Sequence, residues 1–435
     1  MSHLEPAIIQ LLDKLKSVPP GTKRLEQPLD GKPKSSSIDW LDVQPHYPKF
    51  YWQSRDTREE VVALGQLHTF SEPAPAYAIL GHNQRVWGGR SFDGHTAKNR
   101  RCMPAFFFLP QIELIRFDKG WRLAVNIGTN VDISIRALQR LIVSHQDLPP
   151  ISTSVVAMTH TPTEAKWGSL VDDVLQGIQQ EKFKKVVLAR KTSIDLQTPI
   201  SPAQLLKASY LNNHHSFHFL MALSPKHSFV GSTPERLYRR RGQELETEAL
   251  AGTIGRGGNA SHDMQLSNWL TQDVKNINEN QYVVDDIQQS LAPHSRTVAI
   301  EEELRLVRLR KVQHLKRNIH AQLNPGINGV QLLQALQPTA AVAGLPRQAA
   351  MQYIEQNEPF ARGWYAGSVG YLSPDSAEFC VAIRSALIVE DQLQLFAGAG
   401  IVPGSVAEHE WQELDKKMST LLSLITEHPL LGVAS

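Results

Sequence analysis

Only two cysteines, Cys102 and Cys380, occur in 435 residues. So few thiols exclude a disulfide framework and a thiolate metal site, and they fit a reducing, cytoplasmic setting. An excess of either charge is also missing, since 45 Lys and Arg stand against 43 Asp and Glu for a formal net charge of +2. A field this weak calls for neither nucleic acid nor an anionic membrane, which leaves a small molecule as the expected partner. No apolar run approaches the roughly 20 residues that cross a bilayer. The amino-terminal MSHLEPAIIQLLDKLKSV interleaves Glu5, Asp13 and lysines with apolar residues at helical spacing, so it predicts a helix and not a secretory leader. Internal repeats and low-complexity tracts are absent as well, which excludes solenoids and arrays.

What is present is an ordinary globular composition, 41% hydrophobic and 20% charged, able to bury a sizeable core. The stretch PPGTKRLEQPLDGKPKSSSIDWLD predicts turns with one short edge strand. From Phe50 to about Val131, apolar stretches such as AYAIL, MPAFFFLPQIELIRF and WRLAVNI between Gly, Asp and Asn predict strands and hairpins. The polar SHQDLPPISTS, with turn residues near Thr161 and Pro162, sets a soft boundary between 1–160, a helix plus strands, and 161–430. A helix is expected over Glu164–Gln180. Strands are expected over Lys185–Ser193, Phe217–Leu223, Phe229–Gly231, Leu304–Val312, Val369–Leu372, Phe379–Val389 and Leu393–Gly398. Strands and helices without strict alternation predict an α+β fold, antiparallel sheets backed by helices.

The segment EKFKKVVLARK puts Lys185 on the same strand face as Val187 and Ala189, away from Arg190. Two readings stand open: a lysine snorkelling at a strand entrance, or a buried amine that serves as a base, since a low dielectric disfavours the ammonium form. In FVGSTPERLYRR, Gly231 permits a turn and Pro234 fixes its direction, so Glu235 leaves a strand end rigidly. It is either a general acid or a solvated partner of Arg236 or Arg239. Further on, KNINENQYVVDDI predicts part of a helix with an apolar side through Leu266, Leu270, Val274 and Ile277. Glu279 lies off that stripe, facing solvent or a pocket.

In EHEWQELDKKMSTLLSLI, Trp411, Leu414, Met418, Leu421 and Ile425 form a core stripe, with Glu410, Glu413 and Lys417 on an adjoining face. Glu413 and Lys417 make a surface pair, or else the acids join Glu279 in offering oxygens to a hard cation such as magnesium. The glycines of LFAGAGIVPGS lack the GxGxxG spacing and a βαβ setting, which argues against a dinucleotide site. The histidines of NNHHSFHF have no matching metal-ligand partner motif. The basic LRLVRLRKVQHLKRNIH alternates with Leu and Val after three glutamates, and reads as a solvated strand face rather than a nucleic-acid surface.

In their order, KVVLAR, FVGSTPE, LAGTIGRG, ENQYVVDD, LQPTAAVAGLPRQAA, ARGWYAGSVGY, VAIRSA, FAGAGIVPGS and EWQELDKKMSTL resemble the signature blocks of the chorismate-utilising enzymes, over nearly all of Lys185 to Leu422. YPKFYWQSRD in the first half resembles the isochorismate synthases of menaquinone biosynthesis. The resemblance implies a large single chorismate-binding fold, with two antiparallel sheets packed together, helices outside, and 161–430 as the catalytic region. It implies addition of water at ring carbon 2 of chorismate and loss of the carbon 4 hydroxyl. Lys185 would be the general base that activates water and Glu235 the general acid that protonates the leaving hydroxyl.

By the same resemblance, Glu279 and Glu413, with Glu410 acting directly or through water, would hold Mg2+. Arg384 and Tyr365 would hold the enolpyruvyl carboxylate; Gly252, Thr253, Gly398, Gly400 and Lys417 would hold the ring carboxylate and hydroxyls. Water as nucleophile needs no glutaminase partner. Two departures stand out, Asn280 after Glu279 where many members have His, and Gln337 opening QPTAA where many have His. The named residues are shared by salicylate synthases, which go on to eliminate pyruvate. That activity, a siderophore-pathway isochorismate synthase, an ammonia-using anthranilate or aminodeoxychorismate synthase and a non-catalytic chorismate-binding module are the alternatives.

Overall fold

The computed structural model describes residues 3–31, 33, 36–93, 103–118 and 120–426; Cys102 and the last four residues of the expected 161–430 region lie outside them. The first helix, Leu4–Lys16, buries Leu4, Ala7, Ile8, Leu11 and Leu15, the three- and four-residue spacing of an amphipathic stripe. The expected short strand follows at Arg24–Pro28, paired with Gly120–Asn126.

Every strand pairing among the described residues is antiparallel, and together they join 20 strands into one hydrogen-bonded network. That network rolls over on itself. The strands Lys49–Gln53, Glu59–Phe70, Ala105–Phe117 and Val86–Arg90 are neighbours in that order. Flat spacing at about 4.8 Å per strand would hold the outer two roughly 14 Å apart. The rings of Trp52 and Trp87, on those outer strands, are 6.4 Å apart. Inside the roll lies an aromatic core that includes Phe50, Trp52, Trp87, Phe108, Phe217, Phe219 and Phe229. A larger apolar cluster on the outer face packs against helices. The fold is α+β as expected, and its two packed layers are parts of one continuous sheet.

Strands before and after residue 160 share this network: Lys49–Gln53 pairs with Phe217–Ser224, and Val86–Arg90 with Ser368–Leu372. No helix among the described residues is long and apolar enough to cross a membrane.

Four local expectations are corrected. AYAIL is not a strand, because Pro73 opens a short helix, Pro73–Ala78, where its missing N–H costs nothing. Leu304–Val312 is a hairpin, with strands at Arg305–Arg308 and Val312–Leu323. Phe379–Val389 is likewise two strands, Ser376–Val381 and Ser385–Val389, broken where Arg384 takes φ +51°. Leu266 to Ile277 is not one helical face. The chain makes a helix at Ala260–Leu270, turns, and starts a second at Val274–Leu291, capped by the Asp273 side chain accepting from the Asn276 N–H. Val274 is therefore exposed, and the second helix buries Asn276, Asn280, Val283, Val284 and Ile287 instead.

Candidate active site

Two paired strands floor the site. Lys185–Leu196 runs antiparallel to Gln392–Ile401, with Gly400 opposite Val187 and Gly398 opposite Ala189. The absence of a side chain at Gly398 and Gly400 is a steric requirement: a Cβ on Gly400 would run into the Glu279 carboxylate and come within 2.8 Å of Lys185 Cε. A Cβ on Gly398 would approach the Tyr365 hydroxyl to 2.8 Å. Above this floor, a cavity of ≈ 60 Å³ is lined by Glu235, Gly252, Thr253, Glu279, Tyr365, Arg384, Gly398, Gly400 and Lys417, together with Val187, His314 and Val342. Nine residues singled out in the sequence thus meet in one place.

Lys185 is fully buried and does not snorkel; it lies behind the cavity lining, with its Nζ 3.0 Å from Glu279 Oε1. Glu279 faces this pocket and not solvent. Its helix is tied down by Asn280, whose side chain donates to the carbonyls of Ala249, Ala251 and Leu315, and by Asn276, which accepts from the Thr253 N–H. The asparagine after Glu279 is thus a buried clamp between helix and sheet. Gln337 has a comparable task, donating to the Ser91 carbonyl at 2.7 Å and accepting from Ser368.

Glu235 is buried, and its carboxyl is pushed up to about 8, first by loss of hydration and then by the nearby Glu248 carboxylate. Near neutral pH it is a protonated acid. Glu248 shows the opposite behaviour in a similarly dry place. It pairs with Arg55 at 2.8 Å and Lys316 at 3.0 Å, accepts from the Arg236 N–H, and is held down to about 2. A carboxylate depressed from its ordinary 4.5 to about 2 contributes about 3 kcal/mol of stability, fully present above pH ~4.5 and lost as pH falls toward 2. Acid unfolding followed by circular dichroism should show this loss in the wild type. In Glu248→Gln the slope below pH 4.5 should flatten, with a lower melting temperature at neutral pH because Arg55 is left without its partner.

Arg384, 6% exposed, has lost hydration enough to fall to about 10, and its Nε has no hydrogen-bond partner. Its Nη2 donates to His314 Nε2 at 3.1 Å. Burial and the cations Arg384 and Lys417 hold His314 well below its usual range, so the ring is neutral. With Nε2 accepting, the proton sits on Nδ1, 2.9 Å from Thr253 Oγ1, which leaves the threonine hydroxyl hydrogen for a ligand. His314 lies within the basic stretch LRLVRLRKVQHLKRNIH, whose pattern predicts a solvated strand face. Alternation does not mark it: Val312, Gln313, His314 and Leu315 are all buried, so both faces of the strand are covered there.

The acids Glu410 and Glu413 lie outside the cavity lining, on the helix Ala407–Thr426. Lys275 pairs with Glu410 and Lys417 with Glu413, each at 2.5 Å, and Lys417 also donates to the Gly398 carbonyl at 3.0 Å. Among the described residues, no three acidic, His or Cys side chains stand close enough together to hold a metal as they are. Three carboxylates are the donor type a hard cation takes, and all three act on Lys275, which burial lowers and which Glu410, and less strongly Glu279 and Glu413, raise. Burial raises the Glu410 carboxyl, and the Glu413 charge raises it further.

Residues 73–426 match the family model described as chorismate binding enzyme. The isochorismate synthase MenF of Escherichia coli is 38% identical across 98% of this chain and 99% of that relative. MenF of Pasteurella multocida is 38% identical across 91% of each. The solved structure of MenF, the menaquinone-specific isochorismate synthase from Escherichia coli, superposes with a TM-score of 0.88 over 98% of this chain and 100% of that one. Anthranilate synthase component I from Streptococcus pneumoniae, at 18% identity and a TM-score of 0.63, shares the fold. With a family match over most of its length, the chain belongs to the chorismate binding enzymes.

Proposed function

We propose that the chain is an isochorismate synthase, converting chorismate reversibly to isochorismate with magnesium, as the first step of menaquinone synthesis in the cytoplasm. The observation that carries the reading is a glycine-floored pocket lined by Glu235, a carboxyl that burial pushes up to about 8, and by Glu279, with the fully buried Lys185 just behind the lining, against Gly400 and Glu279. Water is a poor nucleophile and hydroxide a poor leaving group, so the exchange needs a base and an acid together. Lys185 takes a proton as the water oxygen bonds to carbon 2, the ring double bond shifts, and the carbon 4 hydroxyl leaves as water with the proton of Glu235. One water enters and one departs, so the product is an isomer.

Arg384, with its unpaired Nε, and Tyr365 bind the enolpyruvyl carboxylate; Thr253, Lys417 and the backbone at Gly252, Gly398 and Gly400 bind the ring carboxylate and hydroxyls. Glu279, Glu413 and Glu410 would hold magnesium, which would offset the charge of the ring carboxylate beside the protein's own acids. Water as the nucleophile makes an ammonia-supplying glutaminase unnecessary.

The test is incubation of the purified protein with chorismate and magnesium, without ammonia, with products separated by chromatography. Isochorismate alone, abolished by EDTA and restored by magnesium, is the expected outcome. Salicylate with pyruvate would move the chain to the lyase branch. That second reading draws on a Pseudomonas aeruginosa relative, the salicylate biosynthesis isochorismate synthase, 41% identical over 59% of this chain. Binding of chorismate without turnover would instead make the chain a non-catalytic module.

A further inference from the structure

The two floor strands continue past the reaction pocket in unbroken register, Phe396 standing opposite Lys191 as Gly398 stands opposite Ala189. Alternation puts Lys185, Val187, Ala189 and Lys191 on one face with Gln394, Phe396, Gly398 and Gly400. The glycines underlie the reaction pocket. Beyond Phe396 the same face floors a second cavity of ≈ 330 Å³, over Lys191 and Gln394 and against Phe360 and Trp364. Tyr365 and Phe396 line both spaces, and their rings stack at 5.1 Å with planes 12° apart. They form a two-ring partition in what is otherwise one trough.

The second cavity has the furniture of an anion site. The Lys191 ammonium lies 5.6 Å from the centre of the Phe360 ring. Partial burial lowers Lys191 from its ordinary value, and among the described residues no carboxylate forms an ion pair with it. The buried Trp364 indole N–H has no hydrogen-bond partner. The reaction pocket at ≈ 60 Å³ is well below the roughly 300–1,000 Å³ of small-molecule sites, whereas its neighbour falls within that range.

We infer that the second cavity is an antechamber for the anionic substrate: an unsaturated-ring dicarboxylate rests there over Lys191 before Tyr365 and Phe396 part to admit it. The inference builds on the isochorismate synthase reading above. A charge that acts on passage, and not in the reaction pocket, speeds arrival and departure together and leaves equilibrium affinity and chemistry alone. Long-range attraction of this kind is also weakened by salt.

Stopped-flow mixing of the magnesium-loaded protein with chorismate, read by tryptophan fluorescence, tests it on wild type, Lys191→Gln and Lys191→Glu. The association and dissociation rate constants should both fall about tenfold in Lys191→Gln, with Kd within twofold of wild type and kcat unchanged. Lys191→Glu should be slower still, and its association should accelerate with added salt where that of the wild type slows. Unchanged rate constants in both variants, with wild type turning over normally, would overturn the antechamber alone. A second equivalent of chorismate that binds and alters kcat would overturn it too, in favour of an effector site. Absence of turnover in the wild type would instead count against the functional reading.

Discussion

Lys185→Ala should keep the fold and lose kcat by about a hundredfold to ten-thousandfold, the usual range for a removed general base. Its side chain is sealed between the glycine floor and Glu279, so no surface residue can take its place. The deletion also strands the Glu279 carboxylate, and a small drop in melting temperature should accompany the kinetic loss. Lys185→Gln separates the two effects, since an amide keeps the volume and a hydrogen bond to Glu279 but cannot accept the proton. If either variant retains wild-type kcat with intact circular dichroism, Lys185 is not the base. Partial recovery of Lys185→Ala by a small primary amine would tie the loss to the missing amine rather than to altered packing.

Glu235→Gln should lose activity on a similar scale and gain stability at the same time. A carboxyl raised from 4.5 to about 8 binds its proton more tightly folded than unfolded, so stability declines as pH rises from about 4.5 to about 8. Glutamine removes that penalty. The difference in melting temperature between Glu235→Gln and wild type should therefore be small near pH 4.5, widen up to about pH 8, and level off. The wild-type rate should fall above about pH 8, as the acid form is depleted. A variant no more stable than wild type at pH 8 would mean that Glu235 is ionised in the folded protein, and the general-acid role would fall with it.

Much of this site can be read in the sequence, for an identifiable reason. Strands buried on both sides, such as KVVLAR, and a helix with a regular stripe, such as Trp411 to Ile425, announce themselves through local periodicity. What escapes is whatever depends on distant partners. Burial of Lys185 depends on Gly400 and Glu279, far along the chain, so EKFKKVVLARK alone leaves two readings open. His314 looks like one more polar residue of a basic strand until Arg384 and Thr253 close around it. The break at Arg384 hides inside an apolar run because a non-glycine residue with positive φ carries no compositional mark. At Asp273 a cap was written in the sequence, but continued apolar spacing on both sides masked it.

The pairing of Lys185–Leu196 with Gln392–Ile401 also bears on how the chain reaches its folded state. During synthesis the strand carrying Lys185 emerges long before its glycine-bearing neighbour, and until then one edge of an apolar, β-branched segment has bare N–H and C=O groups. Such an edge templates pairing with other chains. Contacts this distant in sequence also form slowly. Chains truncated before residue 392 should therefore aggregate as well as lack activity. The helix that brings Glu410, Glu413 and Lys417 follows that strand in the chain, so these three side chains are the last of the site to be synthesised.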